Sequence, residues 1–299
     1  MDIRAYAKIN LGLDITGKRE NGYHELRMIM QQIDLYDVIT IEAEPEVSGN
    51  DDIGTITLTC SEPSLPTDEG NIAYRAARLL FEEFRITDSI DINIEKNIPV
   101  AAGLAGGSAD AAAVLVGINE YFGLGLSDEE LMERGVRLGA DIPFCIMGGL
   151  AYAGGIGDEL VPLGAIEGLT VLLAAPDTAV STKWAYDRYD ELKEEEIIHP
   201  DIDNLRAAIE MEDFGCVPEF LGNVLEYATI PDNPDIARIK DVMMSNGAAG
   251  ALMSGSGPSV YGLFVDADRA ARVFDILAEE GIVPEDRIYL VGLVGGDWT

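Results

Sequence analysis

Pro99-Val100-Ala101-Ala102-Gly103-Leu104-Ala105-Gly106-Gly107-Ser108-Ala109-Asp110-Ala111-Ala112-Ala113 is the stretch on which the reading of this chain turns. It follows residues 89–95, where Ile90, Ile92 and Ile94 alternate with polar neighbours as in a half-buried strand. It runs into an alanine-rich segment, 108–121, that reads as a helix. Gly103, Gly106 and Gly107 are free to adopt positive φ, which turns consecutive N–H groups into one concavity. Ser108 is placed to cap the helix, whose N-terminus adds about half a positive charge and unpaired donors. The expected result is a backbone-lined phosphate cradle. A glycine turn that merely lets a strand pack on a helix would not need small residues as far as Ala113. No Gly-Lys-Ser/Thr follows, so this is not a Walker A loop, and the context of a GxGxxG dinucleotide fingerprint is missing.

Outward from the loop, residues 3–15 read as a strand, as do the β-branched stretches 38–43 and 55–60. Ile72, Ala76, Leu79, Leu80 and Phe84 recur at helical spacing over 71–84. Ser127 and Glu130 form a capping box that opens a helix over 128–138. Gly148-Gly149 and Gly154-Gly155 punctuate a region of strand edges and turns. Farther on, 171–175 reads as an apolar strand stopped by Pro176, and 260–265 and 287–294 as two more strands. Residues 203–212, 217–228, 234–245 and 267–280 read as helices. This order predicts an open antiparallel sheet backed by helices, within an α+β chain of two lobes, 1–160 and 161–299.

The chain has 299 residues, 47% of them hydrophobic, enough for a sizeable core. No apolar run approaches the ~18–20 residues of a membrane span. The first residues lack the basic and apolar regions of a signal peptide. Cys60, Cys145 and Cys216 are scattered, odd in number and without metal-ligand spacing, which fits a reducing cytoplasm. Against 54 acidic residues stand only 20 basic ones, a net charge of −34. That balance excludes nucleic acid and anionic membranes as partners. A polyphosphate must therefore meet local positive potential, from backbone N–H groups, a few lysines and a divalent cation.

The glycine loop resembles the phosphate-binding motif of the GHMP kinase superfamily, which includes galactokinase, homoserine kinase, mevalonate kinase and phosphomevalonate kinase. Ala5-Tyr6-Ala7-Lys8-Ile9-Asn10-Leu11-Gly12-Leu13 resembles that family's first motif, and Ser254-Gly255-Ser256-Gly257-Pro258-Ser259-Val260 its third. Two further segments, 15–26 with Asn21-Gly22-Tyr23-His24 and 138–144 with Gly139-Ala140-Asp141, are similar to a branch acting on a cytidine-linked alcohol. The likeness extends from Ala5 to about Phe264. It implies an N-terminal lobe like ribosomal protein S5 and a ferredoxin-like C-terminal lobe. It implies a cytoplasmic monomer or homodimer that uses ATP and Mg²⁺ on a small molecule. The reaction implied is phosphorylation of the 2-hydroxyl of a cytidine diphosphate-linked methylerythritol, in the non-mevalonate isoprenoid route. A mevalonate, homoserine or sugar acceptor, or an idle nucleotide-binding member, are the alternatives.

The resemblance also implies the site. Lys8 and Asp141 form its catalytic pair, the aspartate taking or orienting the hydroxyl proton and the lysine facing the transferring phosphoryl group. Asn10, two residues beyond Lys8, shares its strand face and bonds the substrate. Tyr23 offers a stacking face for cytosine, worth ~1–3 kcal/mol, and His24 a hydrogen bond at the base edge. Tyr186, in the segment Ser181-Thr182-Lys183-Trp184-Ala185-Tyr186, resembles the second aromatic face, with Trp184 as a competitor, and Thr182 joins the substrate positions. His199, beside Pro200 in an acidic stretch, reads as surface. Residues 99–108 hold the triphosphate, while Asn71 and Lys96 match nucleotide positions; a solvated lysine at a strand end is the other reading of Lys96. No carboxylate is marked as a metal ligand, so Mg²⁺ is expected to bind through ATP and water.

Overall fold

The structure, a computed structural model, describes residues 1–44 and 53–295. In chain order the elements are β1 (Asp2–Lys18), β2 (His24–Glu44), β3 (Ile56–Cys60), α1 (Ile72–Phe84), β4 (Ser89–Glu95), α2 (Gly106–Tyr121), α3 (Asp128–Gly135) and α4 (Ile142–Met147). Then come β5 (Leu150–Gly154), β6 (Glu159–Pro162), β7 (Thr170–Ala174), α5 (Thr182–Tyr189), α6 (Ile202–Glu210), β8 (Gly222–Asn223) and α7 (Glu226–Thr229). The chain ends through α8 (Pro234–Ser245), β9 (Gly250–Met253), β10 (Val260–Phe264), α9 (Ala267–Glu280) and β11 (Ile288–Val291). These make two compact units: Met1–Ala7, Leu35–Ile98 and Ala105–Met147 form the first, and Lys8–Asp34, Pro99–Leu104 and the chain from Gly148 form the second.

In the first unit β3 pairs parallel with β4, and β4 antiparallel with the C-terminal half of β2, from Val38↔Glu95 to Glu44↔Ser89. Ile90, Ile92 and Ile94 point inward as their alternation predicts, with Asp91, Asn93 and Glu95 outside. Helices α1 and α2 pack together over this core, which contains Ile39, Ile41, Leu80, Phe81, Val114 and Leu115. Alanines at 109 and 111–113 keep α2 thin enough to be buried on nearly every side. The capping box opens α3: the Ser127 hydroxyl accepts from Glu130 N at 3.3 Å, and the Glu130 carboxylate accepts from Ser127 N at 2.9 Å.

The second unit holds the sheet that the helix–strand alternation of the second half predicts. Its order is β11-β7-β10-β9, antiparallel throughout, and α8 and α9 pack against it. In the same unit β5 pairs with the first part of β2, from Met28↔Ala153 to Gln31↔Leu150, and β8 pairs parallel with β1.

Two sequence expectations need correction. The strand expected at 38–43 is the tail of the 21-residue β2, whose earlier part was masked by buried polar residues. Gln31, Gln32 and Asp37 all face inward there; Gln31 Nε2 donates to Val294 O at 2.8 Å, and Gln32 Oε1 accepts from Gly149 N at 2.9 Å. The helix expected at 217–228 is instead a 3₁₀ turn, the short β8 and the short α7. Pairing of Gly222 and Asn223 with Gly12 and Leu13 overrides the local helical pattern. Cys60, Cys145 and Cys216 form no disulfide with one another. Among the described residues no helix is long and apolar enough to cross a membrane.

Candidate active site

Extended backbone puts Lys8 and Asn10 on one side of β1. Lys8 is 5% exposed and Asn10 fully buried. The Lys8 ammonium donates to Asn10 Oδ1 at 2.6 Å, and Asn10 O in turn accepts from the Tyr261 hydroxyl at 2.9 Å. Among the described residues of the second unit Lys8 makes no ion pair. A buried cation whose only partner there is a neutral amide retains most of its positive potential for an anion.

The two glycine loops of this unit pack against each other beside Lys8. Leu104 O accepts from Lys8 N at 3.1 Å, and the Ser254 hydroxyl donates to Gly103 O at 3.0 Å. A Cβ on Gly103 would lie 2.2 Å from Ser254 O, and Gly103 has φ +76°, so only glycine fits. A Cβ on Gly255 would lie 3.0 Å from Gly103 O and 3.4 Å from Lys8 Nζ. Residues 8–13 of the first motif, 99–104 of the second and the whole of the third thus lie within one unit. Asn223 carries no sequence signal, yet it holds the third loop in place. Its Nδ2 donates to Met253 O at 2.9 Å and Gly255 O at 2.8 Å.

The loop's backbone departs from expectation in an informative way. Gly103 takes positive φ, but its companions are Ala101 (φ 54°) and Ala105 (φ 57°), and Gly106 and Gly107 are the first helical residues of α2. Left-handed backbone at every second residue turns successive N–H groups to one side. Each alanine held there costs about 1–2 kcal/mol, a concentration of strain that marks functional loops. Ser108 is not the cap of α2. Ala105 occupies that position and supplies no side-chain hydrogen bond, which leaves the first-turn N–H groups without a side-chain acceptor.

The first unit carries Asn71, Lys96, Gly106, Gly107, Ser108 and Asp141. Both Asn71 side-chain groups are engaged: Oδ1 caps α1 by accepting from Ala73 N at 2.9 Å, and Nδ2 donates to Pro66 O in the preceding loop at 2.9 Å. Lys96 is neither a solvated strand-end lysine nor an open phosphate ligand. Its ammonium is buried between Asp37 and Asp110, 2.8 Å from Asp110 Oδ2. It also underlies the start of α2, because a Cβ on Gly106 would lie 3.4 Å from Lys96 Nζ. Asp37 additionally accepts from Asn97 N at 2.5 Å and Ile98 N at 2.8 Å. Asp141 is half-buried in the turn before α4, and its carbonyl accepts from Cys145 N at 3.0 Å.

Two carboxylates sharing one buried ammonium leave a net negative charge unless one carries a proton. Asp110 is buried and its Oδ1 has no hydrogen-bond partner among the described residues, so its charged form is poorly solvated. Burial pushes the Asp110 carboxyl up to about 7; the Lys96 ammonium opposes this and repulsion from Asp37 adds to it. The folded protein thus binds this proton more tightly than the unfolded chain, so stability falls as pH rises from about 4 to 7 and then levels off. Asp110→Asn removes this dependence. Urea unfolding at pH 5, 6, 7 and 8 is expected to show the variant gaining on the native protein by up to about 1.4 kcal/mol per pH unit below pH 7. Parallel profiles would exclude the protonated carboxyl.

A separate aromatic cluster lies in the second unit. The turn at Arg19–Tyr23 closes with Arg19 N donating to Tyr23 O at 2.7 Å, and it leaves Tyr23 58% exposed. His24, the first residue of β2, stacks on Tyr186 with ring centroids 4.9 Å apart and an interplanar angle of 28°. Tyr186 is therefore the aromatic partner of His24, and Trp184 points elsewhere on α5 toward solvent. The Thr182 hydroxyl lies 3.2 Å from that of Ser256, which ties α5 to the third glycine loop. His199, exposed as its sequence context suggests, bridges Asp14 of β1 at 2.6 Å and Glu194 at 3.0 Å. Among the described residues no three His, Cys, Asp or Glu side chains gather to hold a metal ion.

The chain is similar to known proteins along most of its length. Residues 71–149 match the family model described as the GHMP kinases N terminal domain, and 194–283 the one described as GHMP kinases C terminal. A 4-diphosphocytidyl-2-C-methyl-D-erythritol kinase of Caldicellulosiruptor bescii is 46% identical over 286 residues, covering 95% of this chain and 97% of its own. Its counterpart in Lachnoclostridium phytofermentans is 48% identical over 275 residues, covering 92% and 91%. The crystal structure of a 4-(cytidine 5'-diphospho)-2C-methyl-D-erythritol kinase superposes with a TM-score of 0.79 at 30% identity, over 99% of this chain and 100% of that one. An L. major mevalonate kinase in complex with R-mevalonate shares the fold, with a TM-score of 0.74 at 16% identity over 100% and 97%.

Proposed function

The chain belongs to the GHMP kinase family, and from that premise we propose that it transfers the γ-phosphoryl group of ATP to the 2-hydroxyl of 4-diphosphocytidyl-2-C-methyl-D-erythritol. This is the kinase step of the non-mevalonate isoprenoid route. The observation that carries the reading is the meeting of Lys8, Asn10, the 99–104 loop and the 254–257 loop in one unit, around a buried cation without an ion-pair partner there.

Within this proposal each residue has a distinct task. The N–H groups of residues 100–108, with Pro99 contributing none, and the uncapped start of α2 receive the phosphates. Lys8 neutralises charge on the group in transit, and Asn10 holds both the Lys8 ammonium and the substrate. Asp141 accepts the proton as the substrate oxygen bonds to the γ-phosphorus; the bond from that phosphorus to the bridging oxygen breaks, and ADP leaves. Lys96 acts from beneath, positioning Gly106, while Asn71 fixes the residues before α1. Tyr23, His24, Tyr186 and Thr182 receive the cytidine end. Mg²⁺ supplies charge neutralisation on the phosphates when it arrives with ATP.

The segments 1–160 and 161–299 remain our proposal for the two lobes, supported by one family-model match falling inside each. The partner is a small molecule and the setting the cytoplasm. Coupled ADP release with a panel of acceptors tests the proposal. The cytidylyl alcohol is expected to be turned over, and mevalonate, homoserine and galactose not. Turnover of mevalonate without the cytidylyl alcohol would overturn the acceptor, and ATP binding with no ADP from any acceptor would overturn the activity.

A further inference from the structure

We infer that Asp190 is a positioning residue that makes the base site selective for cytidine, by fixing which nitrogen of His24 carries the proton. The inference rests on the cytidine reading above and adds a residue and a rule of discrimination to it.

Thr182, Tyr186 and Asp190 follow one another at four-residue intervals, so α5 and its C-cap present them along one stripe. Asp190 Oδ1 lies 2.8 Å from His24 Nε2, and Oδ2 lies 2.5 Å from Lys18 Nζ. Partial burial raises the Asp190 carboxyl, but the hydrogen bonds from Lys18 and His24 outweigh it and hold the group below the usual carboxylate range. An ionised carboxylate only accepts hydrogen bonds, so Nε2 must be the protonated nitrogen. In the neutral imidazole Nδ1 then keeps its lone pair. The ring is held against rotation by its stacking on Tyr186, and its side chain is only 10% exposed.

A fixed acceptor beside an exposed tyrosine reads one feature of a pyrimidine. Cytosine presents an amino donor at C4, which Nδ1 accepts. Uracil presents a carbonyl oxygen at the same place, and two lone pairs would then face each other. Discrimination therefore comes from repulsion of the wrong base as much as from attraction of the right one. Without Asp190 the imidazole is free to carry its proton on either nitrogen, and the rule lapses.

Two measurements test this. Nitrogen-15 NMR of the ligand-free protein, labelled at histidine, should show His24 with its proton on Nε2, and in Asp190→Ala a mixture of the two forms. In steady-state assays the native protein should prefer the cytidylyl alcohol over its uridylyl analogue by about 10- to 100-fold in kcat/KM. Asp190→Ala should lose most of that preference, with its KM for the cytidylyl alcohol raised about tenfold and its KM for ATP unmoved. A native His24 protonated on Nδ1, or a preference that survives in Asp190→Ala, would overturn the inference. A native protein that releases no ADP with the cytidylyl alcohol would instead overturn the proposed function, since the NMR result needs no substrate.

Discussion

Asp141→Asn is expected to lower kcat by about 10²–10⁴, the usual effect of losing a positioned proton acceptor. Asparagine matches aspartate in volume and retains an oxygen that can orient a hydroxyl, but it cannot take the proton as the O–P bond forms. The backbone around Asp141 does not depend on the carboxylate. Its carbonyl accepts from Cys145 N, and the anchoring of α4 comes from the buried Ile142, Phe144 and Cys145 that follow. The melting temperature should accordingly stay within a degree or two of the native value, and KM for both substrates should change far less than kcat. Initial rates by coupled ADP detection, with a thermal melt beside them, decide the matter. Native kcat in a folded Asp141→Asn protein would remove Asp141 from the chemistry.

Gly103→Ala should damage stability and ATP use together. A left-handed backbone at an alanine costs about 1–2 kcal/mol. The added methyl would also lie 2.2 Å from Ser254 O and 3.0 Å from Gly257 O, both main-chain atoms that cannot swing aside as a side chain would. Forcing atoms into a filled space adds roughly 1–3 kcal/mol. The first glycine loop must draw away from the third, and a displacement of about 1 Å near reacting groups can cost 10²-fold in rate. The expected result is a destabilisation of about 2–5 kcal/mol by urea unfolding and a kcat/KM for ATP lower by about 10²-fold. Gly123→Ala separates the two causes. That residue has φ +59° with nothing within 4 Å of the added methyl, so it should show the backbone cost alone and leave KM for ATP unchanged. A Gly103→Ala protein with native stability and native KM for ATP would exclude the close loop contact.

What the sequence disclosed, and what it hid, follows from the range of the interactions involved. Ile90, Ile92 and Ile94 announce β4 because alternation is a local property, and Ser127 with Glu130 announces α3 because a capping box closes within one turn. The start of β2 is hidden because Gln31, Gln32 and Asp37 are buried by partners remote in the chain, such as Gly149, Val294 and Ile98. Lys96 misleads for the same reason, since its neutralising carboxylates come from β2 and α2. The phosphate loop was legible as small and glycine-rich. Which residues would turn left-handed was not, because Ala101 and Ala105 do so under the constraint of the packed loop. Asn223 and Asp190 have no local signature at all; each acquires its task only when the fold brings Gly255 to one and His24 to the other.

Peptide N–H groups have consequences as a grip for phosphate that side chains would not. They neither titrate nor accept acetyl or methyl groups, and exchanging one residue for another leaves them in place. The polarity of the cradle around Gly103 therefore persists wherever the chain stays folded. On the proposed reading, in which main chain and one enclosed lysine generate the attraction for the anion, the chain can carry a net charge of −34 while the enzyme keeps hold of a polyanion.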